Sequence, residues 1–328
     1  MEFRKEFEKS KIQIGDKVEE SVVEIRYDPL TLQTSRIVRK NIPIPAIGDF
    51  EDEIANSKNW CPFCNERVED MAARDPEIMK GAIWKRGECL AFSNIMPYSR
   101  YSLILRIAER HYLPLSEFKN SHFFDAFKLI QEFLNKLPNQ KFYVSIGMNY
   151  LKSAGSSVMH PHIQLIVSET STDFFARLEW SAYEFMELHG KDYWSALVEE
   201  EKGGERYIGR TKKTDWLAAF APKGFLHFVG IPEETDFALM SEDQLSGFSE
   251  GITKILKFYE SRGFNAFNFT FFCGDRIGNH FRTNFHIVAR TPFSRYYWND
   301  VFFSKMFHDE SITFFSPEDY ASELRTVW

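Results

Sequence analysis

The chain has 328 residues and a formal net charge of −7, with 44% apolar and 27% charged residues, as in an ordinary globular protein. At a pI of about 5.8 it lacks the Lys and Arg excess that holds nucleic-acid polymers, so basic residues that meet a phosphate must act locally. The length suits two modest domains, the charged start MEFRKEFEKSK is not a signal peptide, and no run of about 18 apolar residues could cross a membrane; a cytoplasmic protein with no nucleic-acid or membrane partner is expected.

In chain order, Val22-Val23-Glu24-Ile25-Arg26-Tyr27 reads as extended. Asp28-Pro29-Leu30-Thr31 supplies turn chemistry, and a second strand around 35–38 completes a hairpin. A polar stretch over 48–59 leads into Cys61-Pro62-Phe63-Cys64. Strands follow at 89–93 and 102–107, and then a helix over 121–137, whose apolar residues recur at helical spacing. Strands at 142–148 and 162–167 flank a loop over 149–159.

The same order then recurs. Residues 216–220 and 226–231 repeat the first two strands, Ser241 caps a helix over 241–261, and strands follow at 267–273 and 286–289. Asn284-Phe285-His286-Ile287 falls over His160-Pro161-His162-Ile163. This is a tandem duplication of α+β units, residues 1–170 and 171–328, with the motif lost from the second. Between the copies, residues 172–201 read as helical and acidic, ended by Lys202-Gly203-Gly204, and Ser316-Pro317-Glu318 reads as a late helix start.

The chemistry concentrates in the run from Asn149 to Gln164, with Gly155, Ser156 and Ser157 in its loop and His160-Pro161-His162-Ile163-Gln164 at its end. On a strand, His160, His162 and Gln164 share one face. The amides and hydroxyls of a Gly-Ser loop can hold phosphate oxygens. Imidazole is a nucleophile largely neutral at pH 7, and a phosphohistidine can pass its group on. The bland alternative is a pair of structural or solvent-facing histidines. Cys61 and Cys64 offer two thiolates for a metal, with a redox pair or two packed thiols as the alternatives. Cys89 and Cys273, among apolar neighbours, read as packed thiols.

The run from Asn149 to Gln164 resembles the galactose-1-phosphate uridylyltransferase branch of the histidine-triad superfamily, which carries an Asn, a Gly-x-Ser loop and HPHxQ at this spacing. Arg26-Tyr27-Asp28-Pro29-Leu30-Thr31 is similar to the branch's N-terminal RYNPLTG segment, and Cys61-Pro62-Phe63-Cys64 to its CPxC. The resemblance implies two histidine-triad-like domains, each an antiparallel sheet with packed helices. It also implies a nucleotidyltransferase acting on a nucleoside diphosphate sugar through a covalent nucleotidyl-His162, with a sugar phosphate or phosphate as acceptor. Gln164 would steady the phosphoryl oxygens, and Asn149, Gly155, Ser156 and Ser157 would line the nucleotide site. The alternative within the superfamily is a phosphorylase or hydrolase of ADP-sugars or dinucleoside polyphosphates. Hydrolytic members usually have a third His where Gln164 stands, and an amide cannot hand a proton to a leaving group.

The resemblance further implies one structural Zn2+ held by Cys61, Cys64, His111 and His160, no second metal because Asn284 replaces a ligand, and a homodimer, for which the sequence gives no independent sign. Met306-Phe307-His308-Asp309-Glu310-Ser311-Ile312-Thr313 stands where the branch has its hexose-binding Gly-Tyr-Glu segment. Galactose metabolism therefore does not follow from the motif, and neither does the base.

Overall fold

A computed structural model describes residues 1–39, 44 and 46–328 of the chain. The first half runs β1 (Lys5–Ile14), β2 (Lys17–Tyr27), β3 (Thr34–Val38), α1 (Glu51–Trp60), α2 (Asn65–Met71), β4 (Trp84–Arg86), β5 (Cys89–Ser93), β6 (Tyr101–Arg106), α3 (Asn120–Asn135), β7 (Tyr143–Tyr150) and β8 (His162–Ser168). Two helices, α4 (Asp173–His189) and α5 (Tyr193–Glu201), lead to β9 (Tyr207–Thr211), β10 (Thr214–Ala218), β11 (Phe225–Pro232), α6 (Glu242–Ser261), β12 (Ala266–Cys273) and β13 (Asn284–Arg290). The chain ends with α7 (Phe303–His308), β14 (Ser311–Thr313) and α8 (Pro317–Arg325).

The expected strands and both long helices form where the alternation and 3.6-residue periodicities place them. Ser241 caps α6 by accepting from the Gln244 amide while the Gln244 side chain accepts from the Ser241 amide, a reciprocal pair that satisfies two otherwise orphaned donors. Three local features differ from the sequence reading. The charged start folds as β1, hairpinned to β2 through Gly15 at φ +59°, and no apolar alternation announces this exposed pair. The polar stretch before Cys61 is the helix α1. The helical stretch over 172–201 breaks at Gly190, which takes the left-handed conformation that ends α4.

Among the described residues, one ten-stranded sheet runs β4-β5-β6-β8-β7-β12-β13-β11-β10-β9. The second five strands repeat the order of the first five in reverse, so the duplicated units meet edge to edge at the antiparallel pair β7–β12. One face is sealed by α3 and α6 over Ile146, Ile163, Leu165, Phe271 and Phe285. On the other face, α4 and α5 cover Leu217, Val229 and Ile231, while Val68 of α2, with Phe63 packed against it, covers Leu90, Phe92 and Ile104. The strip formed by β8, β7 and β12 lies between those two covers. No helix among the described residues is long and apolar enough to cross a membrane.

A second sheet, β1-β2-β3-β14, ties the N-terminal hairpin to the C-terminal segment. Its anchor is Arg26, fully buried, which donates to Glu24 at 2.8 Å, to Glu318 at 2.8 and 2.9 Å and to the Phe220 carbonyl at 3.2 Å. Burial alone would raise the Glu318 carboxyl, but hydrogen bonds and charge from Arg26 outweigh it and hold the group well below the usual carboxylate range. Arg26→Met should therefore destabilise the fold by about 3 kcal/mol, the lower end for a broken buried ion pair, because Arg206 still reaches Glu318 at 3.0 Å. Denaturant titration at pH 7 reads this as a lower midpoint. The folded pKa of Glu318 is depressed, so its contribution is complete above the unfolded carboxyl pKa of about 4.3 and fades below it. The gap between wild type and variant should narrow as the pH falls below about 4.

Candidate active site and metal centre

Alternation on β8 sends Ile163, Leu165 and Val167 into the helix-covered core and leaves His162 and Gln164 on the opposite face. Register carries that face across the sheet. Arg106 of β6 pairs with His162, and Gly147 of β7 pairs with Gln164. Asn149 follows on the same face, one alternation past Gly147, and pairs with Asn268 of β12. The uncovered strip is therefore floored by His162, Gln164, Gly147, Asn149, Asn268 and Thr270. Gln164 is half-buried, and its side-chain amide has no hydrogen-bond partner among the described residues. β8 begins at His162, so His160 lies ahead of the strand, and its ring turns to the cysteines.

The state of His162 follows from one contact. Its Nδ1 lies 2.8 Å from the His160 carbonyl oxygen, which can only accept, so Nδ1 carries the proton. Burial lowers the pKa of the ring and favours its neutral form. Nε2 is left with a lone pair and no partner among the described residues. The Phe63 ring stands edge-on at 5.2 Å and limits the imidazole's rotation.

The loop after β7 is built on strained backbone. Leu151, fully buried, sits at φ 68° and ψ 164°, a region that residues other than glycine rarely enter, and Gly155 is left-handed at φ 84°. The Ala154 and Ser156 amides donate to the Leu151 carbonyl and the Gly155 amide to that of Lys152, while the Ser156 hydroxyl donates to the Val158 carbonyl at 2.6 Å. These amides, expected to face a phosphate, are spent on holding the turn. Side chains with capacity to spare here include exposed Ser157, the buried Ser153 hydroxyl and, on the end of β7, the Asn149 amide.

Cys61 and Cys64 bracket the turn between α1 and α2, His111 follows β6, and His160 precedes β8; all four are buried, and their ligand atoms lie within 4.8 Å of one another. The His160 Nδ1 lies 3.7 Å from each cysteine sulfur, and the His111 Nδ1 lies 3.6 Å from the Cys64 sulfur. A tetrahedral zinc with Zn–S of about 2.3 Å and Zn–N of about 2.0 Å requires S–N edges of about 3.5 Å. The remaining ring nitrogens are engaged as ligating histidines require: Nε2 of His160 donates to the Ala108 carbonyl at 2.8 Å, and Nε2 of His111 meets the Ser57 hydroxyl at 2.8 Å. Burial pushes the Cys61 thiol up to about 12, and a cation held beside its sulfur would favour the thiolate. Arg106, buried beside His162, binds the carbonyls of Phe63 and Glu88 and the Asn65 side chain, and so secures the cysteine turn. Cys89 and Cys273 are buried with raised pKa values, as befits packed thiols.

In the second unit, His286 occupies the place of His162. Its Nε2 meets the Asn284 side-chain amide oxygen at 2.9 Å, so Nε2 carries the proton, and its Nδ1 accepts a hydrogen bond from Nε2 of His227 at 3.0 Å. Nδ1 of His227 in turn accepts from the Lys223 amide at 3.1 Å. Every ring nitrogen is used, so the aligned histidine has no lone pair to offer. His280 packs on Tyr183 and lies 4.0 Å from Glu179. Arg106 and Asn268 were not singled out in the sequence. The available signal for Asn268 was a polar residue alternating with phenylalanines in Phe267-Asn268-Phe269-Thr270-Phe271.

The mirrored pair of units, with the HPHIQ strand in the first, is the fold of solved chains described as an ADP-glucose phosphorylase and a uridylyltransferase. The chain is similar to an ADP-glucose phosphorylase from Arabidopsis thaliana solved with bound ADP-glucose, with a TM-score of 0.71 and 17% identity over 93% of this chain and 99% of that one. It is also similar to a GalT-like protein from Arabidopsis thaliana (TM-score 0.69, 16% identity, 92% and 98% covered). A solved uridylyltransferase gives a TM-score of 0.68 at 15% identity, with 92% and 97% covered. No protein-family model matches the chain. It belongs to one family with an uncharacterized protein of Archaeoglobus fulgidus, to which it is 66% identical over 328 residues, 100% of this chain and 99% of that protein.

Proposed function

We propose that the chain is a nucleotidyltransferase in which His162 takes a nucleoside monophosphate from a nucleoside diphosphate sugar and passes it to a phosphate-bearing acceptor. The observation that carries this reading is the His162 ring, whose proton is held on Nδ1 by the His160 carbonyl and whose Nε2 has no partner among the described residues, on the face of β8 shared with the Gln164 side chain. In the first step the Nε2 lone pair bonds to the α-phosphorus, and the bond from phosphorus to the bridging oxygen breaks, releasing a sugar 1-phosphate. In the second, an oxygen of phosphate or of another sugar phosphate bonds to phosphorus, and the P–N bond breaks to return neutral imidazole. Gln164, Ser157 and the Asn149 amide would donate to the phosphoryl oxygens as their charge develops. Residues 1–170 supply the nucleophile, and residues 171–328 support it across β7–β12.

Cys61, Cys64, His111 and His160 would hold a structural zinc, whose fit rests on the S–N distances above. When bound it fixes the turn and the His160 backbone. Phosphate as acceptor has a specific support in the likeness to a chain described as an ADP-glucose phosphorylase, and Gln164 in place of a third His speaks against water.

Labelling separates these cases. The protein is incubated in turn with ADP-glucose, UDP-glucose, UDP-galactose and GDP-mannose, quenched in base and weighed by mass spectrometry. One donor is expected to add one nucleoside monophosphate, in an acid-labile adduct on the peptide containing His162. The adduct should disappear on addition of inorganic phosphate or a sugar phosphate and persist in water alone. Absence of adduct with every donor would overturn covalent transfer, and rapid loss in water would convert the reading to hydrolysis.

A further inference from the structure

Asn268 belongs to the second unit, yet its side chain ends in the first. It donates to the Asn149 carbonyl oxygen at 2.5 Å and to the Ala154 carbonyl at 2.9 Å, so both of its amide hydrogens are spent. Its own carbonyl oxygen accepts from the Arg290 guanidinium. Arg290 is held by Asp300, with contacts of 2.6, 2.7 and 2.9 Å between guanidinium nitrogens and carboxylate oxygens. The residues stand in register: Asn149 pairs with Asn268 across β7–β12, and Asn268 pairs with Val288, one alternation before Arg290.

The direction of this chain is not free to reverse. Arginine has donors only and a carboxylate has acceptors only, whereas an asparagine amide can face either way. Arg290, anchored by Asp300, fixes the Asn268 oxygen toward itself and so fixes its NH2 toward Asn149. That contact takes the Asn149 oxygen and leaves the Asn149 NH2, two donors, on the strip beside His162. We infer that Asn268, oriented by Arg290 and Asp300, is a positioning residue that sets the polarity of Asn149, so that Asn149 offers donors rather than a carbonyl to the phosphoryl group. The role rests on the transfer reading above and adds to it a task for the second unit. That unit has lost its own nucleophile and here aims a group of the first. The bond to Ala154 also clamps the strained turn that begins at Leu151.

Asn268→Asp tests this with almost no change in shape. The carboxylate still accepts from Arg290 but offers only acceptors to Asn149, whose amide must turn its NH2 inward and its oxygen toward the phosphoryl group. The first step, read as single-turnover adduct formation with the donor that labels the wild type, should slow by about a hundredfold, the scale of one lost oxyanion donor. The loss should fall on the rate at saturating donor more than on KM. Asn149→Ala should cost a similar factor, and Asn268→Asp should then add less than about tenfold, the part that passes through the lost bond to Ala154 and not through Asn149. The double change Arg290→Leu with Asp300→Leu removes the ion pair as a unit, releases the Asn268 amide to turn and should cost about tenfold, again only while Asn149 is present. It also serves if Asn268→Asp does not fold. Melting temperature and metal content accompany each rate. A single-variant rate within threefold of wild type would overturn the positioning role, as would losses that multiply fully in the Asn149→Ala background. Both outcomes leave wild-type adduct formation intact, so they are distinct from a failure of the transfer reading, in which the wild type itself does not label and the role falls with it.

Discussion

Replacing His162 by Asn is expected to abolish adduct formation and turnover, a loss of about ten-thousand-fold or more, with the fold retained. The comparison is a close one because the asparagine NH2 can still donate to the His160 carbonyl, the contact that His162 makes at 2.8 Å. What disappears is the lone pair on Nε2, since the amide nitrogen delocalises its own and is no nucleophile at phosphorus. Loss of an attacking group removes the whole covalent route, and deletions of nucleophiles elsewhere cost on the order of a millionfold. The measurement is single-turnover labelling alongside elemental analysis and a melting curve. Unchanged metal content and melting with no adduct would place the effect in the chemistry. A variant that retains more than a hundredth of the wild-type rate would mean that another group attacks phosphorus, and the assignment of His162 would fail.

Much of this arrangement was legible in the sequence because it rests on short periods and local chemistry. Strand alternation placed His162 and Gln164 on one face, the Ser241 cap marked the start of α6, and the recurring order of elements gave the duplication that the mirrored sheet displays. What stayed hidden depends on contacts distant in sequence. β1 is a strand through its pairing with β2 and the cover it gives Glu24 and Arg26, and its own residues carry no apolar alternation. The internal use of the Ala154, Gly155 and Ser156 amides follows from the left-handed turn at Leu151, which a leucine gives no reason to expect. Arg26, part of the segment that resembles the family's N-terminal motif, is consumed by Glu24, Glu318 and the Phe220 carbonyl. The contact between Asn149 and Asn268 joins residues 119 positions apart, and only the meeting of two sheet edges brings them together.

The other large effect concerns the metal centre, because the nucleophile hangs from it. His160 contributes its Nδ1 to the cysteine cluster and its carbonyl oxygen to Nδ1 of His162, so one residue links the proposed zinc to the tautomer of the attacking ring. Pro161 between them has a fixed φ and transmits any shift of His160 directly. The protein purified without chelator should contain about one zinc per chain, and Cys61→Ser should contain almost none. A cation that binds the folded chain a thousandfold below its ambient concentration contributes about 4 kcal/mol, so Cys61→Ser and chelated wild type should both melt well below the metal-bound wild type. The large cores beneath α3 and α6 should keep both folded at room temperature. Adduct formation should then fall by at least about tenfold, since the His160 carbonyl is no longer held and His162 can take the other tautomer, with its lone pair turned away from the strip. Restoring zinc to the chelated wild type should recover both melting temperature and rate, whereas Cys61→Ser should recover neither. Metal-free protein with unaltered melting and labelling would show that the four residues are only packed against one another, and that the orientation of His162 is secured by the β6–β8 pairing and the Phe63 ring alone.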